Sequence, residues 1–457
     1  MSKQLARSRG GISMTNGSLW KNIFLFSVPL IFSQLLQVMF NMADVAVVGK
    51  FANATALGSV GSTTTLVTLF TGFLIGLGSG VNVRVAQHLG ARQDEDTKNA
   101  VHTSLLICTL AGVIISLLCF FLAGPMLRVL KTKEDLLPGA ELYFRIYALG
   151  MPALGIFNFG NAVLSANGDT KRPLVYLTAA GILNVLLNLF FVIGCKMAAE
   201  GVALASILSQ YVSAALVLVH MLRMKDACRV QWKQMRFHRG ETARLLALGV
   251  PAGVQNMIFA VANLFIQVGV NSFDSTMVSG NSAAANTDSI VYNVMAAFYT
   301  ACSTFMGQNW GAGNRDRMIR SYYVSLAYAF LSGALVGLGL LWFGEGFLYL
   351  FTNDAEVVAA GMLRMRIMCF SYALSAFMDC TIAASRGIGR SLVPTVIVVL
   401  GSCVFRVIWV YTVFAYFHSI PSLYLLYAFS WIITSLAEII YFASCWRKMK
   451  NKKTAPI

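Results

Sequence analysis

Four polar residues, Gln34, Gln37, Asn41 and Asp44, recur at relative positions 0, 3, 7 and 10 in an otherwise apolar stretch of the chain. On a helix of 3.6 residues per turn they fall on one face. Hydrocarbon cannot satisfy such a stripe, so it must face a water-filled cavity or other protein. Two readings stand side by side: the lining of a polar cavity, or a ladder of hydrogen bonds that packs helices. The device returns at Asn184 and Asn188 (i, i+4), at Asn158 and Asn161 (i, i+3), and in Ser206 with Gln210. One carboxylate with several neutral oxygens is a ligand set that a hard cation such as Na⁺ accepts, and a buried carboxylate is equally what a proton carrier needs. Residue types alone leave Na⁺ and H⁺ both open.

The later part of the chain repeats the amides without the acid. Gln255, Asn256, Asn263 and Gln267 share one apolar stretch, while the acids Asp288, Asp379 and Glu438 stand in others. Ionisable groups inside hydrocarbon are costly and by default functional. Arg406, in mid-stretch, needs an acidic partner or an anionic ligand, and its depth points to Asp288. Glu438 is read either as buried or as snorkelling inward. Arg145, Arg364 and Arg366, near the outer ends of their stretches, are read as snorkelling to the interface. Gly72, Gly76 and Gly80, with Gly78 beside them, lie inside a span rather than between a strand and a helix, so they predict close helix packing and not a nucleotide loop. The His residues are scattered, with no His-x-x-x-His, Gly-x-Ser-x-Gly or paired-Asp pattern, and no enzyme is expected. The nine cysteines contain no Cys-x-x-Cys pair and predict neither disulfides nor a zinc site.

The elements that must hold these residues follow from composition. The 457 residues are 57% hydrophobic and only 12% charged, which is about half the charge of an ordinary soluble domain. Stretches long enough to span a bilayer lie near 23–48, 57–80, 101–123, 141–164, 174–195, 201–222, 245–270, 283–306, 322–344, 357–385, 392–416 and 422–445. Their connections are too short for a soluble domain, which excludes a receptor kinase or an anchored hydrolase. A net charge of +16 invites a nucleic-acid reading, but placement decides otherwise. With the first segment in the cytoplasm, the cytoplasmic connections hold 26 Lys/Arg and the opposite ones five: Lys50, Arg128, Lys131, Lys133 and Lys196. This bias puts both termini in the cytoplasm. No apolar leader core precedes the first span, so no cleaved signal peptide is expected.

The chain reads as one unit written twice. Leu142, Arg145, Ile146, Ala162, Gly168 and Pro173 meet Leu363, Arg366, Ile367, Ala383, Gly389 and Pro394 at an offset of 221, while Val28, Pro29 and Asn41 meet Val250, Pro251 and Asn263 at 222. Six spans per half keep one orientation, so the halves form a parallel repeat. Residues 1–222 make an N-terminal lobe, 223–244 a basic cytoplasmic linker and 245–457 a C-terminal lobe. The linker's seven Lys/Arg fit either positive-inside charge or a lipid-binding site. Pro29, Pro152 and Pro251 are expected to kink their spans.

With these residues in place, the sequence resembles the multidrug and toxic compound extrusion (MATE) transporters over essentially its whole length. The signals are Pro29 through Asn41-Met42-Ala43-Asp44 with Val48-Gly49, the Gln87-x-x-Gly90-Ala91 turn, Asn167-Gly168-Asp169, Gly201-Val202-Ala203 with Ala205-Ser206, and Arg386-Gly387-x-Gly389. The resemblance implies two six-helix lobes and export of organic cations, typically drugs and dyes, driven by inward Na⁺ or H⁺. It further implies a first-lobe cation site in which Asp44 and Asn184 match, Asn188 replaces a second acid and Ser206 a threonine. The glutamate that one branch carries in span 7 is Phe259 here.

The expectation is therefore an all-α membrane protein with twelve transmembrane helices in two six-helix lobes, a plasma-membrane antiporter that works as a monomer by rocking residues 1–222 against 223–457. Coupling falls to Asp44, Asn184, Asn188 and Ser206, with Na⁺ or H⁺ as coupling ion and no other cofactor. The cavity is expected to include Gln34, Gln37, Asn41, Asn158, Asn161, Asn256 and Asn263, and Asp288, Asp379 and Arg406 are the charged candidates of the second lobe. Small organic cations and the lipid bilayer are the expected partners, and nucleic acid is not. A lipid-linked oligosaccharide flippase is the alternative, for which a cavity lined by several Arg/Lys would be expected; a membrane-embedded transferase would need paired acids that are missing.

Overall fold

The computed structural model describes residues 11–451, and among them every regular element is helical. The helices are α1 (Leu19–Phe51), α2 (Ala54–Ala91), α3 (Asp94–Val129), α4 (Leu137–Ala148), α5 (Met151–Ala166), α6 (Lys171–Leu189), α7 (Ala199–Arg223), α8 (Arg239–Val270), α9 (Ser275–Gly311), α10 (Arg315–Trp342), the short α11 (Gly344–Leu348), α12 (Ala355–Gly387), α13 (Leu392–Phe417) and α14 (Ile420–Asn451). Polar loop residues set their starts. Asn53 accepts from Ala56 N at 2.7 Å, Asp274 from Met277 N at 2.8 Å, Asn314 from Arg317 N at 3.1 Å and Asp354 from Glu356 N at 2.9 Å, each satisfying an orphan amide of a first turn.

Among the described residues ten helices are long and apolar enough to cross a membrane, eleven if α4 and α5, bent by 44°, count as one span. The break falls at Gly150, just before Pro152. The remaining expected span, 283–306, lies within α9, a 37-residue helix. α9 misses the apolar standard because Asn281, Asn286, Asp288 and Asn293 are spread along it. The stretch near 392–416 is helical but not regular: π-turns at Val399–Val404 and Val410–Phe414 flank a single α turn at Phe405–Trp409. The repeat marks the backbone as well, since Gly168 (φ +85°) and Gly389 (φ +84°) make the same left-handed turn 221 residues apart. At Gly168 a Cβ would meet Ile12 O at 2.5 Å, so glycine is required there twice over.

The described residues sort into two compact units, 11–13 with 32–257 and 14–31 with 258–451. Units and sequence halves divide the chain differently: the start of α1 belongs with the second unit, and the start of α8 with the first. Packing gives the reason. In the second unit Phe26 meets the Phe305 ring edge-on at 5.6 Å, and Trp20 meets Tyr328 at 5.1 Å. In the first unit the Gly72, Gly76, Gly80 ladder of α2 lies against α8. A Cβ at Gly76 would stand 2.4 Å from Gly253 N, and one at Gly80 2.5 Å from Gly249 N. The small-residue packing expected of this ladder is thus what α2 uses.

The first unit's core joins α2, α3, α5 and α7 through Val85, Val101, Phe159, Val163 and Val217, and the linker enters it with Cys228 and Val230. Helix α8 starts at Arg239, ahead of the expected 245, and Glu241 in its first turn meets Arg84 at 2.7 Å. The second unit packs α12 against α9, α10 and α14.

Candidate functional site

In the first unit, α1, α6 and α7 bring four of the singled-out residues together. Asn188 Nδ2 donates to Asp44 Oδ1 at 2.5 Å and to Asn184 Oδ1 at 3.2 Å. Ser206 Oγ donates to Asp44 Oδ2 at 3.3 Å and receives Asn184 Nδ2 at 3.5 Å. The i, i+4 spacing stacks both Asn side chains on one face of α6, and both are buried along with Ser206. Asp44 is half-buried, and no Arg or Lys ion-pairs with it among the described residues. Tyr143 and Tyr147 lie within electrostatic reach, and Gln210 Nε2 donates to Tyr147 OH at 3.3 Å. The constellation is a carboxylate held by neutral donors, with amide and hydroxyl oxygens beside it. Asn188 Oδ1 is buried without a hydrogen-bond partner among the described residues.

The other expected cavity residues divide. On α1, Gln34 is half-buried while Gln37 and Asn41 are exposed, as is Asn263 on α8. Asn158 Nδ2 turns back to Leu154 O of its own helix at 3.0 Å, and Asn256 Nδ2 is committed to Gly72 O at 2.9 Å, where it bonds α8 to α2. Asn161 is half-buried on α5.

The second unit overturns one expected pair. Asp288 does not meet Arg406: it ion-pairs with Arg364 Nη2 through Oδ2 and accepts Tyr372 OH through Oδ1. Arg364 Nη1 also reaches Asn281 Oδ1 at 2.5 Å, and Tyr424 OH reaches the same oxygen at 2.6 Å. The reason is which helices are neighbours. α12 lies along α9 and presents Arg364 and Tyr372, two turns apart, to Asp288, whereas Arg406 on α13 faces α14. Arg364 therefore does not snorkel; it is 5% exposed. Arg145 and Arg366 do remain accessible, the former paired with Glu141 at 2.6 Å. Glu438 is not snorkelling either: it is fully buried, neither oxygen has a hydrogen-bond partner among the described residues, and Arg386 and Asp379 act on it electrostatically. Asp379 is half-buried on α12, within electrostatic reach of Arg386 and Arg406. Sequence spacing missed the Asn281–Asp288–Arg364–Tyr372 network, although the seven-residue step from Asn281 to Asp288 places both on one face of α9.

Comparison with known proteins gives this arrangement a context. The MatE family model matches residues 29–190 and again 251–412, two blocks 222 residues apart, in agreement with the internal repeat. The probable multidrug resistance protein YpnP of Bacillus subtilis is 30% identical over 359 residues, 78% of this chain and 80% of its own length. The FAD transporter of Shewanella oneidensis is 24% identical over 339 residues, 73% of this chain and 74% of its own. A solved structure of a multidrug resistance MATE family transporter in an outward-facing conformation aligns with a TM-score of 0.90 at 20% identity, over 98% of this chain and 100% of that one. At that identity the likeness speaks for the fold: two lobes of helices related by an internal repeat.

Proposed function

The chain belongs to the MatE family of multidrug efflux transporters and is a multi-pass membrane protein; from that premise we propose that it is a secondary active antiporter exporting organic cations and drugs in exchange for Na⁺ or H⁺ by alternating access. The observation that carries this reading is Asp44: a half-buried carboxylate whose hydrogen bonds come from Asn188 and Ser206, both neutral. In a low-dielectric site a carboxylate attracts a cation far more strongly than an amide does. Binding of a proton or Na⁺ at Asp44 cancels that attraction and releases the substrate, so one group both holds the cargo and couples the ion. Asn184 Oδ1, Asn188 Oδ1 and Ser206 Oγ are the neutral oxygens beside it, the donor types that Na⁺ takes. Transport is performed by the monomer, in a plasma membrane of bacterial type.

Dye efflux from vesicles under an imposed Na⁺ gradient or an imposed H⁺ gradient tests this directly. One of the two should drive the unmodified protein, and well-folded Asp44→Asn should transport at background under both, a loss of about a hundredfold or more. Near-normal efflux by that variant would move coupling to Asp379 or Asp288. Orientation is tested separately. Cysteines placed near Arg229 and Arg315 should resist an impermeant reagent in intact cells and one near Asp354 should react; the reverse pattern would invert the assignment. The chain ends themselves, residues 1–10 and 452–457, lie outside the described residues.

A further inference from the structure

Arg406 sits in the middle of α13, 3% exposed. Its Nε donates to Ser430 Oγ at 3.0 Å, while Nη2 is buried with no hydrogen-bond partner among the described residues. None of the described ion pairs includes it, since Asp288 is taken by Arg364. What surrounds the guanidinium is aromatic: its centre lies 4.5 Å from the Tyr427 ring centroid, 5.7 Å from Trp431 and 5.8 Å from Phe259. Ring faces stabilise a cation, but they offer no acceptor to the outer edge of the guanidinium fork. Asp379 attracts it from beyond ion-pair distance.

The local backbone is special as well. π-turns on both sides, Val399–Val404 and Val410–Phe414, isolate the one α turn that carries Arg406. Such insertions into transmembrane helices redirect side chains and accompany functional sites. Phe259 and Tyr427, two of the rings around the guanidinium, are partly exposed.

We propose that Arg406, Ser430 and the walls Phe259, Tyr427 and Trp431 form an oxyanion-recognition subsite in the second unit, which takes the carboxylate or phosphate of a substrate with a planar aromatic body. A planar guanidinium with one edge unmet matches either oxyanion bidentately. The flanking rings then stack on the part of the substrate that bears it. This rests on the transporter reading above and narrows its cargo: the transported molecule carries an oxyanion in addition to the positive charge that Asp44 attracts.

Binding to the purified full-length protein, measured calorimetrically with 1-naphthoate, 1-naphthyl phosphate, neutral 1-naphthamide and inorganic phosphate, tests the subsite. At least one naphthyl oxyanion should bind about tenfold or more tightly than the amide, and the stronger of the two identifies the group recognised. Arg406→Gln should bring that ratio to about one, Arg406→Lys should keep part of it, and Phe259→Ala should weaken all three naphthyl ligands alike. Inorganic phosphate should bind more weakly than naphthyl phosphate, which has the rings to stack on. Equal binding of naphthoate, naphthyl phosphate and naphthamide by the unmodified protein would overturn the proposal, as would a ratio untouched in Arg406→Gln. Should that variant fail to fold, the unmodified protein and Arg406→Lys decide the matter by the same ratio. No ion gradient enters the measurement, so an intact preference in a protein that shows no driven efflux would remove the antiport reading and leave the subsite standing.

Discussion

The two units treat their intramembrane charges in opposite ways. In the first, Asp44 is met by neutral donors alone. In the second, Asp288 is locked to Arg364 and Tyr372, Asp379 and Glu438 lie within electrostatic reach of Arg386, and Arg406 is a buried cation that none of the described ion pairs includes. The 222-residue spacing of the two family matches sharpens the contrast. At that spacing Asp44 falls on Ile266 and Gln37 on Phe259, while the offset of 221 that holds from Leu142 to Pro173 puts Asn184 on Phe405, the neighbour of Arg406. One duplicated scaffold thus holds an acid among amides in one copy and a guanidinium among rings in the other. The two halves share the helical frame and differ in the polarity of these positions. A paired charge serves structure; an unmatched one is free to take an ion or a ligand.

That contrast can be broken by stability measurements, and the largest effect should come from the second unit. Arg364→Met leaves Asp288 and Asn281 without their buried cation and should cost about 3–5 kcal/mol of stability, read as a drop in the thermal unfolding midpoint in detergent. Asp44→Asn should shift stability by less than about 1 kcal/mol. Adding Asp288→Asn to Arg364→Met should recover part of the loss; strictly additive losses would deny the pair. Next in size is the first unit's own frame. Gly76→Ala drives a methyl into the Gly253 backbone and should destabilise by about 1–3 kcal/mol, whereas Gly61→Ala, on the same helix with open space around its Cβ, should not. Equal effects at both positions would dissolve the α2–α8 contact as a source of stability. The smallest expected change is one of affinity. Asn188→Asp places a second acid beside Asp44 and should raise apparent Na⁺ affinity by about tenfold in vesicle efflux, roughly 1.4 kcal/mol; no change would mean that the two side chains do not share a cation.

What the sequence disclosed follows what helical periodicity can encode. Spacing of 3.6 residues per turn was enough to put Asn184 with Asn188, and the family resemblance joined Asp44 and Ser206 to them; of the α1 stripe, Gln34 and Asp44 are half-buried while Gln37 and Asn41 are exposed. The glycine ladder was equally readable, because three glycines four apart leave a groove that only another backbone fills. Periodicity does not say which helix lies opposite which. Arg406 and Asp288 were matched by depth alone, and depth is shared by every helix in the bundle; neighbourhood gave Asp288 to α12 and Arg406 to α14. The same blindness applied to Arg364 and Glu438, whose positions along their spans suggested an escape to the interface that their packed faces do not allow. Asn256, read as cavity lining, is a crossbar between α8 and α2 because its amide meets Gly72 O. The π-turns around Arg406 leave no pattern in composition, since apolar residues fill an α or a π turn equally well.

A single nitrogen, Asn188 Nδ2, serves both Asp44 and Asn184, while the oxygen of the same amide is buried without a partner. Half a rotation of that amide exchanges donor for acceptor. Against a carboxylate the nitrogen is favoured. Against a carboxylic acid, or a carboxylate carrying a metal cation, the oxygen is favoured, because it then accepts a proton or adds a lone pair to the cation. Were Asp44 to take up a proton or Na⁺ as proposed, the same turn would serve either ion, provided that the Asn184 amide turns with it, since Asn188 Nδ2 also donates to Asn184 Oδ1. The orientation of the Asn188 amide, followed by side-chain amide ¹⁵N resonance, would report loading without revealing the occupant; telling a proton from sodium must fall to the spacing of the oxygens around it.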